Sequence, residues 1–202
     1  MRVAKASSAV CIMAVVLMGC SSQESGRPTP ERSASGSQSD VPTTGVGSDA
    51  PVRPGDVEID DVDPCALLTA EQQAELKTVK VQNNPSEVVK GITSPSCSYR
   101  TASGVEPSYS YRVTLISGEG VDYWKAPGNL DVSPKEVSGF PALEVRLAGV
   151  STAECSMAVD VADSRQLFVQ FLPISRNFTR GQLCRNAARG AELSLATLRA
   201  LK

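Results

Sequence analysis

Between Ala153 and Phe171 the apolar and polar residues take turns. Ala153, Cys155, Met157, Val159 and Val161 alternate with Glu154, Ser156, Ala158 and Asp160, and Leu167, Val169 and Phe171 follow after a turn at Asp163-Ser164. A period of two places successive side chains on opposite faces, which is the signature of a strand with one apolar side. The connection is too short for a crossover, so the two strands are antiparallel. The pattern recurs at Tyr109, Tyr111, Val113 and Leu115 and at Leu143, Val145 and Leu147. An antiparallel sheet with one buried face and one wet face is therefore expected.

Helices are expected at both ends. Asp63 before Pro64 reads as an N-cap with proline at the first helical position, and Thr69 with Gln72 has capping-box spacing. A helix is expected from Pro64 to about Lys77, and Asn83-Asn84-Pro85 marks a turn beyond it. Near the C-terminus, Phe178, Thr179, Gln182 and Leu183 combine a capping box with a hydrophobic staple. Cys184, Ala187, Ala188, Ala191, Leu195 and Leu198 then fall on one helical stripe, which needs the apolar face of the sheet as its partner. The expected fold class is α+β: an antiparallel sheet of about five strands, with N-terminal and C-terminal helices packed on one face. A short helix around Gly120–Lys125 is expected between strands.

Four cysteines fall within these elements: Cys65, Cys97, Cys155 and Cys184. Their successive gaps of 32, 58 and 29 residues contain none of the close pairs of a zinc site, and an even count outside the cytoplasm implies disulfides. Four cysteines allow three connectivities. Cys155 lies on the strand before the last one, and Cys184 lies in the first turn of the last helix. These two meet where that helix folds back on the sheet. Cys65 in the first helix is then expected to pair with Cys97 at the start of the first strand. Each bridge closes a loop worth about 3.5–4 kcal/mol in the chain-entropy model.

The first residues read as an address. Arg2 and Lys5 precede an apolar run from about Ala9 to Met18, followed by Gly19 and Cys20. This is the layout of a secretory signal, and the run is shorter than the roughly 18 residues of a membrane span. Leu17 to Cys20 resembles a bacterial lipobox, so residues 1–19 are expected to be cleaved and the Cys20 thiol to receive diacylglycerol. Cys11 would be discarded with the signal. Two acyl chains suffice for a stable anchor. In Ser21–Asp56, 21 of 36 positions are Ser, Gly, Pro or Thr, too polar a stretch to offset the entropy of folding. Residues 20–56 are therefore expected to form a tether with a reach of about 30–35 Å. Residues 57–202 are expected to form one globular domain.

Composition limits the chemistry. Histidine is absent, which removes the Ser-His-Asp triad, the Cys-His pair and His-ligated zinc. Lys and Arg number 20 against 22 Asp and Glu, without the basic surplus that nucleic-acid binding favours. Ser117-Gly118-Glu119-Gly120 is a turn rather than a dinucleotide loop, because the third glycine is missing. Paired carboxylates are the acid–base chemistry left open, and Glu144, Glu154 and Asp160 on outward strand positions are the candidates. Tyr123 and Trp124 form a candidate binding lip, and Glu144 and Arg146 extend that candidate surface along a strand. Tyr99, Tyr109 and Tyr111 read as core packing. No catalytic residue, metal site or cofactor is assigned.

The stretches Asp63-Pro64-Cys65-Ala66-Leu67-Leu68-Thr69, Cys97-Ser98-Tyr99 and Gly139-Phe140-Pro141-Ala142 lead on to Cys155 on a strand and Cys184 with Ala187-Ala188 in the last helix. In this the chain resembles a family of actinobacterial lipoproteins known as the domain of unknown function number 3558. Tyr99 stands where that family usually carries tryptophan. The resemblance implies a cell-envelope lipoprotein with two disulfides and no established catalytic residues. The arrangement also resembles the extracytoplasmic sensor domains of some mycobacterial receptor kinases, a likeness of fold rather than function. The reading is a lipid-anchored protein on the extracytoplasmic face of the cell membrane. It would be a non-enzymatic module binding an envelope ligand or a partner protein. The alternatives are a carboxylate-dependent envelope hydrolase and a sensor-like accessory subunit.

Overall fold

The structure, a computed structural model, describes residues 51–149 and 153–202. Cys20, the signal over residues 1–19 and most of the tether lie outside the described residues. The described residues form nine strands: β1 (Lys80–Asn83), β2 (Ser86–Val89), β3 (Ile92–Ser94), β4 (Ser96–Arg100), β5 (Tyr109–Ser117), β6 (Leu130–Val137), β7 (Phe140–Leu147), β8 (Cys155–Ala162) and β9 (Arg165–Pro173). Seven make one antiparallel sheet in the order β1-β4-β5-β9-β8-β7-β6, and β2 with β3 forms a separate hairpin. Two α-helices, α1 (Ala70–Glu75) and α2 (Arg180–Ala200), complete the fold.

Two expectations need correction. The main sheet has seven strands rather than about five, and the additions are its two edges. All four residues of β1 are exposed, so no alternation marks it. β6 carries Pro134 within its run and pairs only with β7, a place where a missing N–H is tolerated. The N-terminal helix is also interrupted. Pro64–Ala66 is a single 3-10 turn, capped by Asp63 accepting from the Cys65 N–H at 2.8 Å. α1 begins only after Thr69, whose ψ of 167° is extended. An N-cap residue is itself non-helical, so the second capping signal ends what the first began.

The first core lies between α2 and the sheet. Thr179 accepts from the Gln182 N–H, while the Gln182 side chain accepts from the Thr179 N–H at 2.7 Å, completing the expected capping box. Ala187, Ala191, Leu195 and Leu198 are buried across β5, β8 and β9. At the crossing, a Cβ on Gly190 would come within 2.8 Å of the Tyr111 ring, so the close approach requires glycine. Cys155–Cys184 bridges β8 to α2, and Cys65–Cys97 bridges the 3-10 turn to β4, with Cα separations of 5.0 and 5.1 Å. Both pairings agree with the placement argued from sequence. Tyr99, fully buried beside Cys97, donates to the Pro64 carbonyl at 2.7 Å. α1 joins α2 through Gln72, which donates to the Leu193 carbonyl at 3.1 Å, and through Glu75–Arg189 at 2.7 Å.

The opposite face of the sheet is not simply wet. A second cluster gathers Val89, Ile116, Trp124, Leu143, Val145, Ala158 and Phe168 under the β2–β3 hairpin and the 3-10 turn Val121–Lys125. The short helix expected near Gly120–Lys125 is therefore a cover for this second core. The chain also contacts the sheet before Val57. Arg53, within the stretch read as tether, pairs with Asp160 at 2.7 Å and Asp163 at 2.8 Å.

Candidate functional site

Strand parity sorts the side chains. On β8, Cys155, Met157, Val159 and Val161 face α2, and on β9 Leu167, Val169 and Phe171 do the same. The intervening residues face the second side. There a cavity of about 240 Å³ opens, walled by Val88, Trp124, Leu130, Val145 and Phe168 and carrying Arg146, Glu154, Ser156 and Gln170 as its polar groups.

Trp124 is placed by two contacts. Its ring stacks on Phe168 with centroids 4.5 Å apart and planes 13° apart. Its indole Nε1–H donates to Gln166 Oε1 at 2.6 Å. Gln166 is fully buried and also donates to the carbonyls of Glu119 and Gly120 at 3.0 and 3.1 Å, which anchors the 3-10 turn to β9. Tyr123 packs edge-on against Trp124, and its hydroxyl accepts from the Lys90 N–H at 3.2 Å. The expected lip is thus an inner wall, because Trp124 is only 6% exposed.

The polar side of the cavity is incompletely satisfied. Gln170, 7% exposed, donates from Nε2 to Glu154 Oε2 at 3.4 Å. Only the amide nitrogen can donate to a carboxylate, so this contact fixes the orientation of the amide. Gln170 Oε1 is buried and has no partner. Arg112 lies opposite Gln170 in the β5–β9 register, and its buried Nε also has no partner. Burial raises the Glu154 carboxyl above its ordinary value, and the charge of Arg112 pulls it partly back.

Glu144 and Arg146 were expected to share a surface with Tyr123 and Trp124, and the structure separates them in part. Glu144 lies opposite Met157 in the register and so faces α2. It lines a second cavity of about 400 Å³ near the start of α2, together with Lys135, Arg146, Arg180, Cys184 and Arg185. Arg146 lines both cavities. Cations outnumber carboxylates in the second, with Lys135, Arg146, Arg180 and Arg185 against Glu136 and Glu144: Glu144 pairs with Arg146 at 3.2 Å and Lys135 at 3.9 Å, and Arg180 donates to the Gly149 carbonyl at 2.7 Å. Glu144 also approaches the sulfurs of Cys155 and Cys184. Those sulfurs are joined in a disulfide and offer no thiolate to a metal.

The three carboxylates weighed for catalysis do not converge. Glu144 and Glu154 lie on opposite faces of the sheet. Asp160 shares a face with Glu154 but stands six residues along β8, about 20 Å at the strand rise, and is engaged by Arg53. Hydrolytic carboxylate pairs sit within about 10 Å of each other.

A family model described as a protein of unknown function (DUF3558) matches residues 15–197. The chain belongs to this family. The match agrees with the resemblance carried by Asp63–Thr69 and Cys97-Ser98-Tyr99, and it spans every strand of this DUF3558 domain. No curated protein and no solved structure matches the chain. Among the described residues no helix is long and apolar enough to cross a membrane.

Sequence reasoning had passed over Gln166, Phe168 and Gln170. The signal was the run Leu167-Phe168-Val169, where three consecutive apolar residues break the alternation and mark a strand buried on both faces.

Proposed function

We propose that this protein is a non-enzymatic binding module, held on the extracytoplasmic face of the cell membrane by a lipid on Cys20, that takes a small polar molecule into the cavity beside Trp124. The observation that carries this reading is the cavity itself, where the buried Glu154 carboxyl and Ser156 stand against an apolar wall of Trp124, Phe168 and Val145. The separation of Glu144, Glu154 and Asp160 supports binding over hydrolysis. The two disulfides favour an oxidising compartment.

Trp124 is the chain's one tryptophan, so its emission reports on the cavity directly. The test titrates the full chain, in a zwitterionic detergent, with three chemically unlike probes: methyl α-glucopyranoside, n-butylammonium and n-hexanol. A saturable change with any probe that Glu154→Gln weakens supports the binding reading. No response to any probe overturns it. The address is tested by intact mass: a diacylglycerol-modified chain beginning at Cys20 is expected, and an uncleaved N-terminus contradicts it.

A further inference from the structure

The larger cavity, on the α2 side of the sheet, carries a positive charge that the protein does not match with its own acids. It lies between β6, β7 and the first turns of α2, and its volume of about 400 Å³ is within the range of small-molecule sites. Met157, Cys184 and Ala188 give it an apolar floor, and Lys135, Arg146, Arg180 and Arg185 line it as cations.

Strand parity decides which carboxylates share this space. Glu144 lies opposite Met157 and Asp131 lies opposite Arg146, so both acids stand on the α2 side. Glu136 alternates with Lys135 and Val137, and its side chain turns to the other side with Leu130 and Val132. Two carboxylates therefore face four cations. Glu144 is held by Arg146 at 3.2 Å and Lys135 at 3.9 Å. Arg180 gives one N–H to the neutral Gly149 carbonyl at 2.7 Å, which leaves its charge unmatched. Among the described residues Arg185 makes no hydrogen bond or ion pair. Its Nη1 lies back over the first turn of α2, 3.2 Å from where a Cβ on Gly181 would stand, and that turn holds no acidic residue.

Such a site is completed by an anion of two charges. A single carboxylate brings one. A phosphate monoester brings about −1.5 to −2 at pH 7 and three acceptor oxygens. Guanidinium groups engage such oxygens with paired N–H donors, and Arg180 and Arg185 have donors to spare. We infer that this cavity binds a dianionic phosphoryl group through Arg180 and Arg185, with any attached carbons resting on Met157 and Ala188. Its source is either inorganic phosphate or the monoester end of a small organic molecule. This site is separate from the cavity beside Trp124, and either can fail without the other.

The experiment is a calorimetric titration of the full chain in dodecyl maltoside at low ionic strength, with inorganic phosphate, n-propyl phosphate, n-propyl sulfate and succinate. n-Propyl sulfate keeps the shape of the ester with one charge, and succinate keeps two charges but sets them apart. Saturable binding of at least one phosphate is expected, tighter than either comparator. Arg180 and Arg185 are exposed, so their replacement leaves the core intact, which far-UV circular dichroism checks. One exposed ion pair is worth at most about fivefold, so Arg180→Gln and Arg185→Gln should each weaken phosphate a few-fold and together about tenfold. Glu144→Gln removes a repelling carboxylate and should tighten it. Lys125→Gln, in the turn on the opposite face, should leave it unchanged. Tighter binding of n-propyl phosphate than of inorganic phosphate identifies an organic monoester, and equal or weaker binding identifies the free ion. Succinate or n-propyl sulfate binding as tightly as the phosphates, an affinity untouched by the double substitution, or no binding of either phosphate overturns the inference.

Discussion

Gln166→Leu is the substitution that most sharply tests whether the second face of the sheet is a built structure. Gln166 is fully buried and makes three hydrogen bonds: one from the Trp124 indole and two to the carbonyls of Glu119 and Gly120. Leucine nearly matches its volume, so packing changes little and the loss is polar. The orphaned Trp124 N–H is buried and should cost about 1–3 kcal/mol, while the carbonyls of Glu119 and Gly120 lie near solvent and cost about 0.5 kcal/mol each. The expected destabilisation is about 2–4 kcal/mol. Urea unfolding followed by Trp124 emission and by far-UV circular dichroism measures it. A lower midpoint at an unchanged slope is expected, with Trp124 already more solvent-exposed in native buffer. A loss below about 0.5 kcal/mol, in the range of ordinary surface substitutions, would refute the claim that Gln166 anchors the Val121–Lys125 turn.

Three further outcomes are expected. Replacing Cys155 and Cys184 together by alanine should cost about 3.5 kcal/mol from a closed loop spanning 29 residues, and non-reducing peptide maps of the wild type should show Cys65 linked to Cys97 and Cys155 to Cys184; a wild-type Cys65–Cys155 peptide would contradict the pairing. Thr179→Ala should cost about 1 kcal/mol by thermal unfolding, through loss of the cap on α2, and Thr179→Ser should restore most of it. Burial raises the Glu154 value in the folded chain above the ordinary 4.5, so its contribution to stability is complete below that value and declines as pH rises through the folded one. Wild type should therefore lose stability relative to Glu154→Gln between acid and neutral pH, and a difference flat in pH would contradict the burial of that carboxyl.

Much of the fold follows from local rules that act within a few residues. The alternation at Tyr109–Leu115, Leu143–Leu147 and Ala153–Phe171 located four of the five inner strands, β5, β7, β8 and β9, because one face of each packs on a common core. The Thr179–Gln182 box located the start of α2, since its hydrogen bonds close within one turn. The disulfide pairing followed from placing each cysteine on its element. What escaped depends on tertiary context. β1 is exposed throughout and β6 contains Pro134, so neither edge carries a period. The Pro64–Lys77 stretch was read as one helix although Thr69 holds a second cap.

The site was half legible for the same reason. Trp124 and Arg146 were singled out for their residue types, and both line the cavity. Glu154 was named for its carboxylate, but its burial, and the place of Gln170 beside it, depend on the β2–β3 hairpin and the Val121–Lys125 turn closing over the face opposite α2. No short-range pattern records such a closure. Glu144 and Arg146, two residues apart on β7, share the helix side of the strand, where Glu144 pairs with Arg146 and Lys135.

The central claim is that the cavity between Trp124, Glu154 and Gln170 is occupied in the working protein. The most direct measurement is difference electron density from crystals of the protein soaked in whichever of methyl α-glucopyranoside, n-butylammonium and n-hexanol changes Trp124 emission. The account predicts density for the probe inside this cavity, against the wall formed by Trp124, Phe168 and Val145. Density for the probe only at other surfaces would contradict it.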